Sequence, residues 1–198
     1  MSLTGGAFLH SIQYLVGLHE ARTQTTSRER EAIRYFASGR ERAVEIGVAE
    51  GVNTRLIAEH LHTDGVLYAI DPFFSGRVGI CWGKLIAKSQ VRRSKSRSRV
   101  VFVEQLSWNA CDRIDGTFDF LFIDGDHSWD GIERDWKDWS GRVSEEGVVL
   151  LHDTHLEGDT VNDTPLGSHQ YFESNIVSDP RFELIDQVDS LSVIKRLP

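Results

Sequence analysis

The stretch Ala43-Val-Glu-Ile-Gly-Val-Ala-Glu-Gly-Val-Asn-Thr54 decides the fold. Val44, Ile46 and Val48 form a short apolar run that ends in a glycine-bearing turn. The turn enters a helical pattern with Leu56, Ile57 and Leu61 on one face and Asn53 or Thr54 placed to cap its start. A buried parallel strand feeding a helix through such a turn opens a doubly wound α/β fold. Glycine suits the turn because a ligand lying against the backbone leaves no room for a Cβ. Val66-Leu-Tyr-Ala-Ile70 is the next strand, and Asp71 at its end stands twenty residues past Gly51. An acid at that place can accept both hydroxyls of a ribose.

Glycine spacing separates the cofactors such a fold can hold. A dinucleotide fingerprint, Gly-x-Gly-x-x-Gly, seats a pyrophosphate on the helix N-terminus. Here the spacing is Gly47-x-x-x-Gly51, with the carboxylate of Glu45 in the preceding strand and no pyrophosphate cradle. The segment resembles the first motif of class I S-adenosylmethionine (SAM) methyltransferases, Val-Glu-Ile-Gly-x-x-x-Gly-x-Ser/Thr. That resemblance implies that Glu45, Gly47, Gly51 and Asp71 hold SAM.

A length of 198 residues suits a single domain, 1–198, with N-terminal helices over 1–40 and a Rossmann-like core over 41–198. A net charge of −8 argues against general nucleic-acid binding. No run is apolar enough for a membrane span, and the N-terminus lacks a basic region followed by an apolar one. Cys81 and Cys111 are too few and too scattered for a disulfide framework or a cysteine zinc site, so a cytoplasmic address is expected. A homo-oligomer is compatible with this composition.

Phe8, Leu9, Ile12, Leu15, Val16 and His19 recur at helical spacing. Thr26 with Glu29 reads as a capping box for a second helix through Ile33 and Phe36, stopped by Gly39. Residues 77–99 carry eight Lys or Arg and no acid. That segment reads either as a solvated helix face or as a surface that captures an anion. Val100-Val-Phe-Val103 is a third strand. Ser107 and Trp108 follow its end, where adenine contacts are usual in this kind of fold. Phe118-Asp-Phe-Leu-Phe-Ile123 and Val148-Val-Leu-Leu151 are the fourth and fifth strands. Between them Trp129, Ile132, Trp136 and Trp139 mark a helix whose stripe belongs to the core. Asp159–Gly167 reads as a loop, Tyr171 to Ile176 as a further helix. Phe182-Glu-Leu-Ile185 and Leu191-Ser-Val-Ile194 form a closing antiparallel pair. The fold expected is a Rossmann-like, doubly wound, mostly parallel seven-stranded sheet.

Strand four delivers Asp124-Gly-Asp-His127, and strand five delivers His152-Asp-Thr-His155. Acids gathered so closely repel unless protons or a cation offset them, and a divalent cation such as Mg2+ with oxygen ligands would do so. Ile123-Asp-Gly-Asp-His-Ser128 and Gly147-Val-Val-Leu-Leu-His-Asp-Thr154 resemble methyltransferases of sugars and antibiotic precursors. They are also similar to the magnesium-dependent catechol and caffeoyl-CoA O-methyltransferases. The resemblance implies that Asp124 and Asp153 are metal aspartates, with Thr154 standing where those enzymes have a ligand Asn. It places His127 at their catalytic lysine, while Asp126, Asp124 and Ser107 are further metal or cofactor candidates. A His152-x-x-His155 pair leaves a transition-metal site open.

These readings converge on a SAM-dependent methyltransferase acting on a hydroxyl of a small, anionic acceptor, with a divalent cation and His127 as general base. A non-catalytic SAM-binding or partner-binding scaffold and an NAD-type dehydrogenase are the other readings.

Overall fold

A computed structural model describes residues 3–76, 79–155 and 166–198, side chains of residues 3–5 excepted. Its helices are α1 (Leu3–Leu15), α2 (Ser27–Ala37), α3 (Val52–His60), α4 (Trp82–Arg93), α5 (Ser107–Cys111), α6 (Trp129–Trp139) and α7 (Gly167–Tyr171). Its strands are β1 (Arg42–Ile46), β2 (Val66–Ile70), β3 (Arg99–Val103), β4 (Phe118–Ile123), β5 (Val143–Leu151), β6 (Phe182–Val188) and β7 (Leu191–Arg196). The loop expected at Asp159–Gly167 lies, up to residue 165, outside the described residues. So do Met1, Ser2 and Arg77.

The sheet runs in the order β3-β2-β1-β4-β5-β7-β6. The first five strands are parallel, and β7 is antiparallel to both β5 and β6. This is the expected Rossmann-like sheet with its closing antiparallel pair. Chain order reverses between β1 and β4, so a crevice opens beyond their carboxyl ends.

Apolar runs suit strands covered on both faces. Phe120, Phe122, Val148 and Leu150 pack with Ile33 of α2 and Ile57 of α3. Leu121, Ile123, Val149 and Leu151 face the other way, onto Ile132, Trp136 and Trp139 of α6. The tryptophan stripe is therefore core at Trp136 and Trp139, while Trp129 stacks edge-on against Tyr171 at the surface.

Two helix starts carry a side-chain cap. Thr26 and Glu29 form the expected capping box on α2, and the Ser128 hydroxyl accepts from the Gly131 amide at the start of α6. For α3 the cap is Gly51, in the left-handed conformation at φ 77°, with no side-chain cap bond. Asn53 instead accepts a bond from the Thr25 hydroxyl, so its amide ties the N-terminal segment to α3.

The outward face of α1 is the reverse of the expectation. His10, Ser11 and Tyr14 are buried, whereas Phe8, Leu9, Ile12, Leu15 and Val16 are exposed. Polar anchors set this rotation: His10 bonds Glu50 at 3.0 Å, and the Arg93 guanidinium covers the Tyr14 ring while donating to the Leu15 carbonyl.

Candidate functional site

The crevice at the β1/β4 reversal is a cleft of about 1090 Å3. Backbone bonds level the strand tips that floor it. The Gly47 amide donates to Ile70, that of Asp71 to Val103, that of Asp124 to Ile46, and that of His152 to Ile123. Gly47, at φ 92°, leads β1 into its turn, and a Cβ there would lie 2.0 Å from the Asp124 carbonyl oxygen. The glycine is thus required by the neighbouring chain segment rather than by a ligand alone. Gly51 faces away from the cleft, where a Cβ would lie 2.7 Å from the Cα of Ala87. Helix packing explains it.

Asp71 lines the cleft but is largely committed to the turn. Its Oδ2 accepts from the amides of Val48 and Ala49 at 3.0 and 3.1 Å, and its Oδ1 from that of Phe73 at 2.7 Å. A carboxylate has about four acceptor positions, so one remains where two ribose bonds were expected. Glu45 lies beneath the floor, fully buried, and does not line the cleft. Neither of its oxygens has a well-formed hydrogen bond, and burial pushes its carboxyl well above the usual range. The direct cofactor contact expected of Glu45 is therefore replaced by a place under the turn.

At the β4 and β5 tips a cluster of acids and imidazoles forms. His127 faces the cleft with Nε2 3.8 Å from Asp124 Oδ1 and Nδ1 3.6 Å from Asp153 Oδ2. His152 is buried behind it, with Nδ1 2.9 Å from Asp124 Oδ1 and 3.6 Å from Asp153 Oδ1. Its Nε2 is 3.5 Å from Glu29 Oε2. None of these approaches is a straight N–H···O bond, so unlike charge rather than directed bonding holds the ring. Burial disfavours its charge, yet the contacts with Asp124, Glu29 and Asp153 raise His152 to about 10. Burial likewise opposes the charge of Glu29, but His152, Thr26 and Ser190 together lower it to about 2. The cluster thus already contains a cation.

The expected metal set meets a different geometry here. The Thr154 side chain is buried and donates its hydroxyl to the Leu151 carbonyl at 2.8 Å, turned into the strand end rather than toward Asp124. Asp124, His127 and His152 are instead the group whose ligand atoms lie within 4.8 Å of one another. His155 is not part of it.

A family model described as a methyltransferase domain matches residues 44–154, from the first strand to the His-Asp-Thr turn. The chain belongs to the methyltransferase-domain family. No curated protein sequence matches it. The SAH complex of an O-methyltransferase from Bacillus cereus has a TM-score of 0.69 to this methyltransferase at 16% identity, covering 98% of this chain and 91% of that one. The SAM complex of TomG, an O-methyltransferase of tomaymycin synthesis from Streptomyces achromogenes, gives 0.67 at 17%, covering 97% and 90%. The SAH-bound Podospora anserina methyltransferase PaMTH1 gives 0.66 at 16%, covering 97% and 88%. At such identities the likeness is one of fold.

The methyltransferase cleft gathers Gly47, Asp71, Ser107, Asp124 and His127, and leaves Glu45, Gly51, Asp153 and Thr154 off its lining. It also gathers residues the sequence did not single out: Arg22 to Gln24, Glu50 and Asp135. Glu50 accepts from the Arg22 amide and from His10, which brings the N-terminal segment to the cleft wall. Asp135 had a legible signal, an acid three residues after Ile132 and four before Trp139 on the buried face of α6. The described lining carries Glu50, Asp71, Asp124, Asp126 and Asp135 against the single guanidinium of Arg22. Its charge favours a cation, and the described residues of the basic segment, 79–99, take no part in it.

Proposed function

We propose that this methyltransferase transfers the methyl group of SAM to a hydroxyl of a small acceptor, with His127 as general base. Supporting the cofactor are the cleft's volume, its Cβ-free floor at Gly47, the remaining acceptor position of Asp71 and a surplus of carboxylates facing a sulfonium cation. Gly47, Asp71, Asp124 and Ser107 would hold SAM, which when bound supplies an electrophilic methyl group on sulfur. The same charge balance supports an uncharged or cationic acceptor over the anionic one the sequence suggested.

The observation that carries the reading is His127 on the cleft wall between two carboxylates. A neutral imidazole there can take the hydroxyl proton. Asp124 and Asp153 then stabilise the imidazolium and fix the ring. His152 lies behind them, its pKa raised to about 10, against the opposing effect of burial, by its contacts with Asp124, Glu29 and Asp153. Bringing oxygen, methyl carbon and sulfur into line is a positioning task for the cleft walls.

A second reading is favoured by the ligand atoms of Asp124, His127 and His152, a donor set suited to zinc or another transition metal. These residues would hold a divalent cation that acidifies the acceptor hydroxyl. His152 must first shed its proton, and a metal-bound His127 could not serve as base. Calorimetry with SAM and SAH, on protein treated with EDTA or loaded with zinc or magnesium, tests both readings. Mass spectrometry of an acceptor panel follows. Absence of SAH binding would remove the main reading, and turnover surviving EDTA would remove the metal. SAM binding with no methylated product on any acceptor would leave a binding scaffold. NADH binding in place of SAM would favour a dehydrogenase.

A further inference from the structure

Beyond Asp71, the cleft runs along the β3 tip over Gln105, Leu106, Ser107 and Trp108, with α6 on its far side. One carboxylate of that wall has no part in the proton transfer. Asp135 is 4% exposed, yet it lines the cleft. The Ser107 hydroxyl donates to its Oδ1 at 2.5 Å. Its Oδ2 lies against the Gly125 backbone, where a Cβ would come within 3.4 Å, and has no hydrogen-bond partner among the described residues. An acceptor oxygen left open to the cleft without a donor is free to take one from a ligand.

The proton inventory makes this pair selective. Ser107 has one hydroxyl proton, and it is spent on Asp135. What the pair then offers the cleft is acceptors alone: the lone pairs of Ser107 Oγ and of Asp135 Oδ2. A ligand edge that also carries only acceptors would meet them unpaired and desolvated. Leu106, Trp108, Ile70 and Pro72 supply apolar surface around the pair, suited to a flat ring. Burial, offset in part by Ser107, holds the Asp135 carboxyl at about 6, so it is ionised at neutral pH and a donated N–H stabilises that form.

We infer that Asp135, with Ser107 oriented by it, reads the exocyclic amine of the cofactor's purine and so selects adenine over a 6-oxopurine. The inference rests on the SAM reading above and adds a specificity-determining residue to it. The bond is charge-assisted and made by a mostly buried residue, and a 6-oxo group would turn attraction into repulsion.

Calorimetry with SAH and S-inosylhomocysteine, which differ at that purine edge, tests it on the full chain. Wild-type protein should prefer SAH by roughly tenfold to a hundredfold, the range of one hydrogen bond to a charged group. In Asp135→Asn the amide can turn its NH2 toward a 6-oxo group, and the preference should fall below about threefold or reverse. Equal affinity of wild type for the two ligands would overturn the inference while leaving SAM binding intact. So would an unchanged preference in a folded Asp135→Asn variant. The wild-type ratio decides the matter even where that variant does not fold. If SAH itself fails to bind, the SAM reading and this one fall together.

Discussion

Replacing Glu29 by Gln tests the buried charge cluster at its far end from the cleft. Glu29 is 1% exposed. Its Oε1 accepts from the Ser190 amide and hydroxyl at 2.9 and 2.8 Å, and its Oε2 from the Thr26 amide at 2.7 Å. The carboxyl falls from 4.5 to about 2 on folding. At 1.36 kcal/mol per unit, that is about 3 kcal/mol of stability in the ionised form. A glutamine keeps one acceptor oxygen, but its NH2 must face an amide or hydroxyl donor, so most of that stabilisation should go. The sign fixes the pH window. A depressed acid pKa stabilises fully above the unfolded value of 4.5 and loses this as pH falls toward about 2. The raised pKa of His152 stabilises fully below 6.5 and loses this as pH rises through about 10. The gap between wild type and Glu29→Gln should therefore be widest from about pH 4.5 to 6.5 and narrow on either side. Urea unfolding across pH 4 to 10 reads it directly. A gap under about 1 kcal/mol at pH 6, or one flat up to pH 10, would refute the account of a carboxylate paired with a buried imidazolium.

Four other outcomes are expected. His127→Ala should lower kcat by roughly a hundredfold to ten-thousandfold while leaving SAH affinity within about threefold, as single-turnover assays and calorimetry will show. Gly47→Ala should abolish SAH binding and cost far more stability than Gly39→Ala. Both have positive φ, but only Gly47 has a carbonyl 2.0 Å from the new Cβ; the control should lose only about 1–2 kcal/mol in thermal or urea unfolding. Thr154→Val removes the hydroxyl bonded to Leu151 and should cost about 1 kcal/mol in urea unfolding, with any zinc response of the protein unchanged. Asp135→Asn relieves a carboxyl held at about 6 against 3.8 unfolded, a cost that grows as pH rises between those values. The variant should gain up to about 3 kcal/mol on wild type at pH 8, less the weakened Ser107 bond, and nothing below pH 4 in the same unfolding assay.

The sheet was legible because its strands are short apolar runs punctuated by Gly and acids, and both hairpin strands at the C-terminus carry the pattern. Gly47, Asp71, Asp124 and His127 could be placed at one crevice because strand order alone puts those tips side by side. What a linear reading misses is commitment. Asp71 accepts two amides of the turn after β1 and one of its own, Thr154 turns back to Leu151, and Glu45 is sealed under the floor. Residue type and spacing fix where such a side chain begins, not which partner claims its polar atoms. The rotation of α1 escaped for a related reason. Its apolar spacing favours burying Phe8, Leu9 and Ile12, whereas a bond from His10 to Glu50, forty residues on, buries the opposite side.

The approach of Gly47 to the Asp124 carbonyl welds the β1 tip to the β4 tip along the cleft floor. With no slack between them, neither can swing like a jaw while the other stays fixed. Give in the wall is then expected at the N-terminal strap, Arg22 to Gln24, which the Arg22 amide fastens to Glu50. Amide exchange at Arg22, with and without SAH, reads whether that fastening loosens while the sheet's crest stays firm.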